Sequence, residues 1–101
     1  MELIPKELLE SIPTLYETER ALNPICQVKL FTPDAQWIWY IIEISQEDKD
    51  ICYGYVKGLE NELGYFSLKE IESIKGPLGL AVERDLSFEP SALSIIKKGD
   101  S

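Results

Sequence analysis

The segment Trp37-Ile-Trp-Tyr-Ile-Ile-Glu-Ile44 constrains the fold most, because seven of its eight side chains are aromatic or β-branched. Such residues favour extended chain, and a strand sends alternate side chains to opposite faces. Trp37, Trp39 and Ile41 fall on one side, and Ile38, Tyr40, Ile42 and Ile44 on the other. A strand that is apolar on both sides belongs inside a sheet with cover above and below. If one layer of cover falls short, Trp37, Trp39, Tyr53 and Tyr55 become a partner-binding face or a homo-oligomer contact.

Period and punctuation supply the neighbours. Residues 25–32 mix Val, Leu and Phe with Gln27 and Lys29, and Pro33-Asp34 turns the chain into 36–45, forming a hairpin. The polar stretch 46–50 precedes a third antiparallel strand at 51–57, and Gly58 and Gly64 bracket a loop. Residues 80–89 alternate, with Leu80, Val82, Arg84, Leu86 and Phe88 on one face and Ala81, Glu83, Asp85, Ser87 and Glu89 on the other.

Short helices fit 5–12, 67–74 and 90–97. The first and last have proline at a position where the opening turn tolerates it, and the middle one opens with the capping box Ser67-x-x-Glu70. Thr14 and Glu17 have the same spacing and mark a further short helical stretch through Leu22. The expectation is a single α+β domain over 1–101, an antiparallel sheet of about four strands with its helices mainly on one face.

Charge narrows the functional classes. Ten basic residues against 18 acidic ones leave a net charge of −8, which disfavours direct binding of nucleic acid; such a surface serves solubility, and it also suits a protein partner with a basic surface. The chain has no histidine, which removes the commonest general base and metal ligand, and no phosphate-binding glycine loop or CxxC pair is present. No cofactor or metal is implied, and an enzyme is the less favoured reading. No apolar run is long enough to span a bilayer and no signal peptide is evident, so a cytoplasmic location is expected. Cys26 and Cys52 read as buried thiols, with one bridge between neighbouring strands as the alternative.

The remaining candidates are carboxylates and one arginine. Glu60 and Glu62 lie in the glycine-bounded loop, and Glu83, Asp85 and Glu89 line one face of the last strand, either as a plain solvent face or, with alternate residues about 6.6–6.8 Å apart, as an imitation of a line of phosphates. Arg84 falls on the apolar face and calls for a partner, a carboxylate such as Glu43, Glu60 or Glu62, unless an end-of-sheet position lets it reach water. A rival reading makes Glu60, Glu62 and Arg84 a carboxylate-dependent enzyme or metal-binding centre.

Four separated segments also resemble one family: residues 13–19, 28–34 with 37–40, 58–67, and 76–85 from Gly76-Pro-Leu-Gly79 to Glu83-Arg-Asp85. Together they resemble domain of unknown function 2958 (DUF2958), a family of small bacterial proteins often encoded on mobile elements. The resemblance carries no catalytic residue. What it implies is work in replication, conjugation or counter-defence, such as inhibition of a host protein that handles nucleic acid.

Overall fold

The computed structural model describes residues 3–99. Along the chain run α1 (Lys6–Ser11), β1 (Ile25–Cys26), β2 (Val28–Phe31), β3 (Ile38–Ile44), β4 (Ile51–Lys57) and β5 (Asn61–Ser67). After these come α2 (Leu68–Glu72), β6 (Glu83–Arg84), β7 (Ser91–Ala92) and α3 (Leu93–Lys97). The fold is α+β. Its main sheet is antiparallel in the order β5-β4-β3-β2-β6, and β1 and β7 form a separate two-stranded ribbon. No helix among the described residues is long and apolar enough to cross a membrane.

β3 is the middle strand and is covered on both faces. Trp39, Ile41 and Ile44 join Val28, Leu30, Cys52 and Val82 beneath Leu68 and Ile71 of α2 and Ile4 and Ile12, which flank α1, with Leu8 and Leu9 of α1 packed against them. On the other face Tyr40 and Ile42 pack with Tyr55, Cys26 and Phe88 beneath Leu93 and Ile96 of α3. The helices therefore divide between the faces. A bulge between Ile41 and Glu43 shifts the alternation, so Ile44 joins the face of Trp39 and Ile41 instead of that of Ile42.

Two parts of the sequence-based strand assignment change. The stretch 58–67 is a tight turn at Gly58–Glu60 followed by a fifth strand, fully paired with β4 from Lys57↔Asn61 to Ile51↔Ser67. Gly64 sits within that strand, opposite Gly54, and does not end a loop. Conversely, 80–89 is not one strand. Only Glu83–Arg84 pairs with β2, and the chain turns at Leu86-Ser87. Val82 is buried on one face of the sheet and Phe88 packs on the other, so this segment wraps the sheet edge and its apolar alternation serves two cores.

The expected helical stretch at 14–22 is a series of turns. Half of the anticipated box exists, since the Thr14 amide donates to Glu17 Oε1 at 3.0 Å. Tyr16, however, takes φ +71°, outside the right-handed helical region. The box that opens α2 forms differently as well. Ser67 Oγ accepts the Glu70 amide at 3.2 Å, while Asp50 Oδ1 takes the Lys69 amide and the Ser67 hydroxyl, each at 2.8 Å. Asp50 thereby takes a second first-turn amide and ties α2 to the start of β4.

Cys26 and Cys52 are free, fully buried and on opposite faces of the sheet, so they cannot bridge. Burial pushes both thiols up from 9.0 to about 12. The unfolded chain releases these protons first, so their contribution to stability is present below pH 9 and is lost as pH rises towards 12. Urea unfolding across that range should show wild type losing stability faster than a Cys26→Ala/Cys52→Ala variant; parallel curves would contradict it. Gly54 tests the sheet directly, because a Cβ there would overlap the Tyr40 carbonyl oxygen, whereas one at Gly64 meets nothing within 4 Å. Gly54→Ala should cost about 1–3 kcal/mol by overpacking. Gly64→Ala should stay within about 0.5 kcal/mol.

Candidate functional site

The two sets of sequence candidates occupy opposite edges of the main sheet. Glu60 lies in the β4–β5 turn and Glu62 on β5, while Glu83 and Arg84 form β6. Four strand spacings separate these edges, on the order of 19 Å at about 4.8 Å per strand. Glu60, Glu62 and Arg84 therefore do not converge on one pocket. Arg84 donates from Nε to the Leu3 carbonyl at 3.2 Å, and among the described residues no carboxylate pairs with it. At the sheet edge a backbone oxygen takes the Nε–H in place of the carboxylate that the alternation pattern suggested.

The acidic row on 83–89 does not form a ladder either, because the strand ends after Arg84. Lys29 reaches Asp85 at 3.6 Å from the neighbouring strand and also lies 5.9 Å from the centre of the Tyr40 ring. Asp85 Oδ1 further accepts the Ser87 amide at 2.9 Å, closing the turn that carries Glu89 away from Glu83. Of this row, Glu83 and Glu89 are exposed. An open cleft of about 720 Å³ runs beside β6 between Lys29, Phe31, Trp37, Glu83 and Leu86, wide and unenclosed.

Trp37 and Trp39 also part company. Trp39 is in the core and unavailable to a partner, because α1 and α2 cover its face. Trp37 is 40% exposed, stacked on Trp39 with centroids 6.0 Å apart and planes at 20°. Its ring also lies against Gly58, where a Cβ would collide with it, so the turn leading into β5 is seated on Trp37. Tyr55 is buried and Tyr53 half-buried. Among the described residues no group of three or more Cys, Asp or Glu could hold a metal ion.

A buried carboxylate organises the surface beside β5. Glu43 is 3% exposed, although it lies in an otherwise apolar strand. Its Oε1 accepts the Tyr16 amide at 2.9 Å, and its Oε2 accepts the Thr18 amide at 2.7 Å together with the Thr18 hydroxyl. In a helix at 14–22 the Thr18 amide would bond the Thr14 carbonyl and the Tyr16 amide would be an unpartnered first-turn donor; Glu43 takes both, and a strap of turns forms instead. The strap places Tyr16 beside Tyr65 of β5, which packs on Tyr53 with centroids 5.1 Å apart. Desolvation raises the Tyr65 hydroxyl above its ordinary value, followed by hydrogen bonding to Tyr16. The only sign of this in the sequence was an acid inside Trp37–Ile44.

The outer edge of β5 is open. Ser45 donates to the Ile51 carbonyl at 2.8 Å, so odd-numbered residues of β4 face β3; Leu68 donates to the Asp50 carbonyl at 2.9 Å, so even-numbered ones face β5. The unshifted register then turns Glu62, Gly64 and Phe66 towards β4, and points the amides and carbonyls of Asn61, Leu63 and Tyr65 away from the sheet. No other strand pairs there among the described residues. Leu63 and Tyr65 put their side chains on the Tyr53 and Tyr55 face, and Glu62 puts its own on the opposite face with Val56.

The DUF2958 family, described as a protein of unknown function, matches residues 3–97. The chain belongs to this family. The match takes in the Glu43 strap, the Trp37-on-Gly58 contact and all of β5. No curated protein and no solved structure matches the chain.

The strap makes a quantitative demand. Glu43→Ala removes a charged acceptor from two amides and a hydroxyl, and should cost about 3 kcal/mol in urea unfolding. It should also open 14–20 to proteolysis before global unfolding. A loss below about 1 kcal/mol would mean that water replaces the carboxylate at little cost.

Proposed function

We propose that this DUF2958 protein is a non-enzymatic acidic protein-binding domain whose partner presents a basic surface. The observation that carries this reading is the state of its acids: Glu60, Glu62, Glu83 and Glu89 are exposed, and among the described residues the one ion pair is Lys29–Asp85. Unpaired acids on a chain of net charge −8 attract a basic surface at long range and raise the encounter rate. Glu60 and Glu62 matter most, since they lie beside the open backbone of β5 and the exposed Leu63 and Tyr65. Directional hydrogen bonds and apolar area are then available where the charge brings a partner.

A protein that normally handles nucleic acid has the basic cleft this surface complements, and the acidic protein then acts as its inhibitor. The family setting of mobile elements favours such a target among host defence or replication proteins. Binding of this kind needs no cofactor.

Capture from a host lysate on the immobilised protein tests the reading. A partner should be retained at low salt and released as ionic strength rises, with retention falling at least tenfold for Glu60→Lys/Glu62→Lys. Recovery of nothing, or retention indifferent to salt and to charge reversal, would contradict it.

A further inference from the structure

We infer that the β5 edge takes up an extended segment of the partner as a sixth strand, and that this segment alternates basic with apolar residues. The inference rests on the protein-binding reading above and adds the mode of binding and the chemistry of the bound segment. β5 has seven residues and no proline to block pairing, and no described strand covers its outer edge. The outward amides and carbonyls of Asn61, Leu63 and Tyr65 form the row that strand addition uses, with main-chain bonds holding the segment and alternate side chains selecting it.

The two faces of β5 set the pattern of the segment. On one side an added strand lies beside Leu63, 38% exposed, and Tyr65, 57% exposed, with Tyr16 held next to Tyr65 by the Glu43 strap. Side chains pointing that way gain apolar contact. On the other side it lies beside Glu62, with Glu60 at the adjoining turn, and side chains pointing there gain from positive charge. Alternate residues of a strand point to opposite faces, so apolar and basic residues must alternate. Charge also chooses between a basic segment and a second copy of this chain, because another molecule of net charge −8 is repelled at the approach.

A fluorescently labelled eight-residue peptide alternating lysine and valine, titrated against the full protein by fluorescence anisotropy, tests this. Leu63→Pro removes an outward amide and leaves the β4–β5 bonds in place, since those run through Glu62, Gly64 and Phe66. It should weaken binding at least tenfold, and Glu62→Lys at least threefold. Peptides N-methylated on alternate amides make the same test without altering the protein: methylation of one alternate set should abolish binding and of the other set should leave it intact. Absence of peptide binding, equal effects of the two methylated sets, or full binding by a folded Leu63→Pro variant would overturn strand addition. So would a stable dimer of the free protein with its β5 amides protected, which would make a second copy the occupant. Binding that responds to salt and to Glu62→Lys but ignores the backbone changes would leave the acidic surface standing and remove the added strand. Binding that responds only to the backbone changes would do the reverse.

Discussion

Six of the seven residues of β3 are buried, and the other elements are arranged around that demand. A strand apolar on both faces requires two layers of cover. The chain supplies them with α1 and α2 on one face and α3, Phe88 and the β1–β7 ribbon on the other. Three short helices cannot extend over five strands on both faces. Cover is spent on the centre and thins towards β5, where Leu63 and Tyr65 stay exposed. The candidate surface follows from how the core is closed.

Acidic residues do two separate jobs. Asp34, Glu43, Asp48 and Asp50 accept backbone amides: Asp34 from Leu78 and Leu80, Glu43 from Tyr16 and Thr18, Asp48 from Asp50 and Ile51, and Asp50 from Lys69. The two amides on Asp48 hold its carboxyl below the usual carboxylate range. These acids fix loops that have no regular structure of their own. Glu60, Glu62, Glu83 and Glu89 stay in water and give the surface its sign. Net charge alone does not separate the two groups.

The centre of the fold was legible in the sequence because local signals agreed with tertiary ones there. Trp37–Ile44 announced a doubly covered strand, and Ser67 announced the start of α2. Signals failed where one residue type serves two purposes. Gly58 and Gly64 both look like turn residues, yet only Gly58 adjoins the turn. The alternation over 80–89 was real, but it fed two cores on opposite faces, so a straight acidic row could not form. Glu43 was visible as an anomaly, but its partners at 16 and 18 are remote in sequence and carry no signal of their own beyond a helix-like spacing that the carboxylate overrides.

The central claim is that β5 is a fully paired strand on its inner side and an unoccupied one on its outer side. Residue-resolved amide hydrogen exchange on the free protein measures both at once. An alternating pattern along β5 is expected, with the amides of Glu62, Gly64 and Phe66 protected and those of Leu63 and Tyr65 exchanging much faster, against protection throughout Tyr40–Ile42 of β3. Uniform protection along β5 would show the outer edge already covered, and uniformly fast exchange would show that β5 does not pair with β4; each result would contradict the account.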